Sequence, residues 1–128
     1  MRWVRIGGGA PSEYNTATPT MTQPTSSRRQ KLETFLTAHP NDAFAQYGLA
    51  LECANLDDND AALAHFDALL SKHPDYVTGY FQLGQLYARL MRPADARRVL
   101  TAGIDAAART GDQHAAGEMS QALAELPS

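Results

Sequence analysis

The sequence predicts an all-α protein built from stacked helix pairs, and three observations carry that reading. Apolar residues recur at helical spacing in six successive segments, each opened by a capping residue and closed by Pro, Gly or a polar turn. No segment shows the alternation expected of a strand. The chain also overlays on itself, without a gap, after a shift of 34 residues. His39-Pro40 falls on His73-Pro74, Phe35-Leu36 on Leu69-Leu70, Leu49 on Leu83, Ala50 on Gly84, Ala62 on Ala96 and Phe66 on Leu100. A fixed period of this length means stacked supersecondary units rather than one globular core.

The first helix is expected from Ser26 or Ser27, its cap, through Leu32, Phe35 and Leu36 to the stop at Pro40. Asn41 or Asp42 caps the second, which carries Phe44, Tyr47, Leu49, Leu51 and Cys53. The cluster Asn55-Leu56-Asp57-Asp58-Asn59 reads as a turn, and Asn59 or Asp60 starts a third helix running past Leu63, Phe66, Leu69 and Leu70 towards Pro74. Asp75 opens a fourth, from Val77 to about Met91. Pro93 suits the first turn of a fifth, which extends to Arg109 or Thr110 because no proline ends it. Gly111 ends that helix, and Asp112 caps a last one reaching Leu126.

Residues 1–26 are different. They mix Gly, Ser, Thr, Pro and Asn without a hydrophobic period, and such a stretch buries too little apolar surface to offset its ordering entropy. It is read as a disordered tail. Arg5 interrupts Trp3, Val4 and Ile6, which leaves no signal-peptide core. Gly7-Gly8-Gly9 leads to Pro11 and lacks the Lys-Ser/Thr ending of a phosphate loop. Met21 precedes the helical patterning directly, so residues 1–20 are read as an upstream extension of a native start at Met21.

Composition narrows the function classes. The 128 residues are 44% hydrophobic and 20% charged, with one cysteine and a formal net charge of −3. One cysteine excludes an internal disulfide framework and a four-cysteine zinc site. No apolar run approaches the roughly 20 residues of a bilayer span. Residues 1–29 carry +3 and residues 30–128 carry −6, so the patterned region is acidic and does not suit nucleic-acid binding. Together these suggest a soluble cytoplasmic protein.

The repeat also resembles a named family, the tetratricopeptide repeat (TPR), whose pattern sets a large apolar residue, Leu-Gly and an aromatic on one helix and Ala, an aromatic and Pro on the next. Leu49, Ala50, Cys53, Ala62, Phe66, Leu69 and Pro74 match in the first repeat, with Gln46 in place of the large apolar residue. Tyr80, Leu83, Gly84, Tyr87, Ala96 and Leu100 match in the second, with Gly103 small and Ala108 in place of the proline. Ala116, Met119, Ser120 and Leu123 repeat the spacing of Tyr80, Leu83, Gly84 and Tyr87 with a displacement of two residues. The resemblance implies a right-handed solenoid over 27–127: repeats at about 43–76 and 77–110, a leading half-repeat at 27–40 and a capping helix at 112–126.

None of the reactive side chains forms a convincing chemical constellation. His39 and His73 occupy equivalent helix ends, where an imidazole suits the dipole, and they lie a repeat apart. His65 and His114 form no paired ligand spacing, so no metal or cofactor is expected. Asp57, Asp58, Asn59 and Asp60 lack the glycine and the bidentate glutamate of a calcium loop, and capping explains them. Asp58 and Arg92, one repeat apart, are placed to face each other along the stack. Cys53 reads as a small core residue. No nucleophile–base pair is indicated, so catalytic residues are absent from the reading and the protein is not expected to be an enzyme.

In the resembled family the first helix of each repeat lines a concave groove. By repeat position that face is Phe44, Tyr47, Leu51 and Asn55, then Thr78, Phe81, Gln85 and Arg89: an aromatic floor with one cation at its edge. Members that clamp chaperone C-termini carry lysine and asparagine where this chain has Tyr47 and Leu51, which argues against that ligand. The resemblance therefore implies a non-enzymatic adaptor taking a peptide or partner helix. The competing packing has Phe44 on the Leu32 helix and Tyr47 on Phe81. A second reading is a self-associating homodimer, joined through the open N-terminal end and the exposed side of the Phe44–Asn55 helix.

Overall fold

The computed structural model describes residues 23–127. Six α-helices follow one another: α1 Ser27–Ala38, α2 Ala43–Asn55, α3 Asn59–Lys72, α4 Val77–Arg89, α5 Pro93–Thr110 and α6 Gln113–Ala124. The described residues contain no strand. The readings of residues 1–20 and of Met21 as a start fall outside the described residues. Gln23–Ser26, grouped with the tail on composition, run into α1 without helical structure and are held by Arg29.

Capping chemistry sets the boundaries. Ser26, Asp42, Asp58 and Asp112 each accept a hydrogen bond from a backbone N–H in the first turn of α1, α2, α3 and α6. Arg92 cannot accept one, and α5 instead begins with Pro93, which has no N–H to satisfy. His39 and His73 both terminate their helices, with φ −132 and ψ 67 at His39 and φ −132 and ψ 72 at His73. The 34-residue register thus extends to the backbone. It extends further to the carbonyls of the equivalent prolines. Lys72 donates to Pro40 O at 3.2 Å, and Arg109 donates to Pro74 O at 3.2 Å.

The turns after α2, α4 and α5 share one geometry. Asp58, Arg92 and Asp112 donate back to the carbonyls of Cys53, Tyr87 and Ala107, and the residue before each is left-handed: Asp57 (φ 60), Met91 (φ 61) and Gly111 (φ 75). This is why α4 stops at Arg89 and not at Met91, as periodicity alone suggests. Only Gly111 adopts that conformation without strain. Met91 is 83% exposed, so its side chain has little packing to lose. Met91→Gly is therefore expected to stabilise the fold by about 0.5–1 kcal/mol, read as a higher thermal or urea midpoint.

Adjacent helices pack as pairs, α2 with α3 and α4 with α5, and helices two apart also touch, α2 with α4 and α4 with α6. The first helices of the pairs therefore form one continuous layer. On the other side α3 and α5 are separated by a cleft of about 440 Å³ floored by Leu83 of α4. Such splaying on one side gives a solenoid its curvature. Leu49, Cys53, Phe66, Leu69, Leu83 and Leu86 fill the centre, and Val77, Leu100, Ala106, Ala107 and Met119 fill the C-terminal end. Gly103 departs from the repeat pattern because α5 passes very close to α4 and α6 there. A Cβ at Gly103 would fall 2.5 Å from Tyr80 Cβ and 2.5 Å from Met119 Sδ.

Candidate functional site

Tyr47, Leu51, Phe81 and Gln85 sit on the layer formed by α2, α4 and α6, with Phe44 and Thr78 at its helix starts and Asn55 and Arg89 at its helix ends. Phe44 is 77% exposed and does not pack on α1, where Leu32 lies against Gly48 instead. Tyr47 is half-buried and pairs with Tyr76, ring centroids 5.4 Å apart, rather than with Phe81. Burial pushes the hydroxyls of both tyrosines above their ordinary pKa, so both remain neutral donors. Leu51 is half-buried against the central core and Phe81 against the C-terminal one. Asn55, Thr78, Gln85 and Arg89 are exposed.

Two of these residues share a hollow. Phe81 and Gln85 line it together with Glu118, Gln121 and Ala122 of α6 and Glu125 just after it, around about 180 Å³. Sequence reasoning missed the α6 contribution by treating that helix as a cap. The signal was present: the displaced register already used for Ser120 and Leu123 also places Gln121 on Gln85 and Glu125 on Arg89. The inner face is therefore aromatic towards α2 and acidic towards α6. Arg89 stands at the end of α4.

Behind this face lie two polar arrangements that sequence did not reveal. Gln46, buried where the repeat pattern has a large apolar residue, approaches His65 Nδ1 at 2.9 Å through its Nε2. With Nε2 as the amide donor, the bond requires a neutral ring. Burial, then the charge of Arg29, holds His65 below its ordinary 6.5. The folded state thus prefers the neutral ring, whereas the unfolded chain takes up a proton near 6.5. This contribution to stability is complete above that pH and is lost as pH falls through the lower folded value. Melting temperatures of the wild type are expected to drop on acidification below about pH 6.5. His65→Gln is expected to flatten that dependence.

The second arrangement centres on Arg29, which donates to Asp58 Oδ2 at 2.8 Å, Pro24 O at 2.7 Å, Glu33 Oε2 at 3.0 Å and Gln23 Oε1 at 3.1 Å. The hydrogen bond to Asp58 above all raises its pKa and fixes its charge. Asp58 accordingly does not face Arg92, as the repeat register suggests. Arg92 pairs with Asp95 and lies over the Tyr87 ring, 4.7 Å from its centroid. Cys53 is fully buried, and burial pushes its thiol up despite the nearby Arg29, so it packs as a neutral core residue. Among the described residues no three His, Cys, Asp or Glu side chains converge as a metal site. No described helix is long and apolar enough to cross a membrane.

Comparison with known proteins agrees with this geometry. A family profile described as tetratricopeptide repeat matches residues 42–86. The solution structure of a tetratricopeptide repeat domain protein from Salinibacter ruber is 40% identical, covers 67% of this chain and 87% of its own, and superposes with a TM-score of 0.64. A protein of Bordetella parapertussis is 27% identical over 77% of this chain and 86% of its own, with a TM-score of 0.67. The TPR2B domain of yeast Sti1, solved as a complex with pHsp70, is 21% identical over 74% and 76%, with a TM-score of 0.69, a likeness of fold. No curated protein matches the chain. Helix pairs, repeat length, the positions of the small residues and the identity to the Salinibacter protein agree, and this chain belongs to the tetratricopeptide repeat family.

Proposed function

We propose that the protein is a non-enzymatic interaction module that holds an apolar segment of a protein partner, as a peptide or a helix, against the inner face of α2, α4 and α6. The observation that carries this reading is the set of aromatic and aliphatic side chains left on that face. Phe44 is largely exposed, and Tyr47, Leu51 and Phe81 are only half-buried. Large apolar groups gathered on one concave layer are what a partner's side chains bury. The Sti1 domain was solved with pHsp70. A chaperone-tail ligand does not suit this chain, which has Tyr47 and Leu51 where the clamp-type members have lysine and asparagine, and whose inner face is acidic at α6. The single cysteine, buried and unpaired, is compatible with a reducing compartment such as the cytoplasm.

Selection of a displayed random-peptide library on the wild-type protein tests the reading. Selected peptides are expected to be apolar and to bind Phe44→Ala/Phe81→Ala about tenfold or more weakly. They should bind Ala102→Glu, altered on the α5 side of the outer cleft, as well as they bind wild type. Equal binding to the inner-face variant would remove the groove from consideration.

A further inference from the structure

The two ends of the stack are each half of a helix pair. α1 corresponds to the second helices α3 and α5, and among the described residues no first helix accompanies it. α6 corresponds to the first helices α2 and α4, and no described helix follows it as a second. Exposure differs from that of the internal repeats at both ends. Phe35 of α1 is 43% exposed, whereas Leu69, one repeat later, is fully buried and Gly103, two repeats later, is buried. Leu123 of α6 is half-buried where Tyr87 is buried, and Ser120 is exposed where Gly84 is buried against Leu100. Beside Phe35, the residues Ser27, Gln30, Lys31 and Thr34 border an open hollow of about 450 Å³.

We propose that these ends are the two halves of one interface, so that α1 of one copy packs on α6 of another and the stack continues from chain to chain. The packing is the one this chain already makes twice within itself, α2 on α3 and α4 on α5, which specifies a second copy as the occupant. Size agrees. Arg28 and Phe35 are bulkier than their internal equivalents Ala62 and Leu69, and α6 offers Gly117, Ser120 and Ala124, all exposed, with open space around Gly117. Charge agrees too. α1 brings Arg28 and Lys31, whereas α6 has no lysine or arginine, carries Glu118 and is followed by Glu125. This arrangement differs from a two-fold homodimer through the exposed side of α2 in one respect: α1 covers its side of α2, so the open face belongs to α1 itself. A head-to-tail contact of this kind leaves one free end at each terminus of the assembly and runs on into short chains.

Sedimentation velocity over a wide concentration series, on the whole chain, tests this. The wild type is expected to grow in mass with concentration and to dissociate as salt is raised. Phe35→Asp spoils the α1 end and Ser120→Arg the α6 end, and each alone is expected to stay monomeric. Their equimolar mixture is expected to form dimers and nothing longer, because one intact α6 then meets one intact α1. A wild type that is monomeric throughout overturns the proposal, as does a monomeric mixture or association by either variant alone. Ser120→Arg forming dimers alone would indicate a symmetric α1–α1 contact instead. Dilute thermal melts check the fold, and Lys31→Glu with Gly117→Arg is a second pair with the same expected pattern. A lowered dilute melt for Phe35→Asp would mean that the chain's own residues cover α1, which also overturns the proposal.

Discussion

Replacing Gly103 by alanine is expected to lower the melting temperature by about 10 °C, a large effect for one methyl group. A Cβ there would sit 2.5 Å from both Tyr80 Cβ and Met119 Sδ. The methionine end is flexible and moves at small cost. Tyr80 Cβ is fixed to the backbone of α4, so relief requires α4 and α5 to separate, which loosens the Leu100, Ala106 and Met119 cluster. Overpacking of this kind costs about 1–3 kcal/mol, and the better helix propensity of alanine returns only up to about 1 kcal/mol. Gly84→Ala supplies the contrast. Its Cβ would meet Leu100 Cδ2 at 2.6 Å and Cγ at 2.7 Å, side-chain atoms that can turn aside, and the first repeat already has Ala50 opposite Phe66 at the equivalent place. Gly84→Ala is therefore expected to cost much less than Gly103→Ala. Parallel thermal melts decide it, and equal stability of Gly103→Ala and wild type would disprove the close approach. Because the barrier is Tyr80 Cβ, adding Met119→Ala is not expected to restore stability.

Much of this architecture was legible in the chain because it repeats. Period and caps fixed six helices, and His39 and His73 marked two helix ends that the backbone reproduces almost to the degree. The helix ends at Arg89 and Ala124 were less legible. Hydrophobic spacing continues through Leu90 and Leu126, while the chain turns away through backbone hydrogen bonds that no side-chain pattern reports. Gly103 was visible as a departure from the pattern. Its reason, a close approach of three helices, lies in contacts between residues far apart in sequence.

The inner face was legible in part. Repeat position located Phe44, Tyr47, Leu51 and Phe81 on one layer, because a helix face is a local property. It paired Tyr47 with Phe81, whereas the ring packs at a tilt against Tyr76 from the turn before α4. Loops lie outside the helical period, so the pattern says nothing of their reach. Gln46 illustrates the same limit. It is a polar residue at an apolar position of the repeat, and only the fold brings His65 within 2.9 Å to satisfy it.

Arg29→Ala is expected to cost about 3 kcal/mol, although its neighbour Arg28→Ala should change stability by less than about 0.5 kcal/mol. The two arginines look alike in sequence. Arg28 is 77% exposed and comes no nearer than 4.0 Å to Glu52, so water screens its side of the pair. Arg29 is 3% exposed and serves four acceptors, so its loss leaves Asp58, itself only 15% exposed, without its cation. The charge had a sequence signature after all: Arg29, Leu32 and Leu36 lie on one helical face, and the residue one repeat later is Leu63. An arginine on an apolar stripe needs partners, and they come from three directions: the incoming segment at Gln23 and Pro24, α1 at Glu33, and the α2–α3 turn at Asp58. Lysine cannot reach all four with one ammonium, so Arg29→Lys is expected to fall between alanine and wild type. Raised salt should leave the cost of Arg29→Ala nearly unchanged, because a buried pair is weakly screened. Hydrogen exchange locates the damage. Amides of α1 and of the Asp57–Ala61 turn should exchange faster, while α5 and α6, which make no contact with Arg29, keep their protection. Uniform loss of protection across all six helices, or a melt indistinguishable from that of Arg28→Ala, would show that Arg29 does not tie the first helix to the stack.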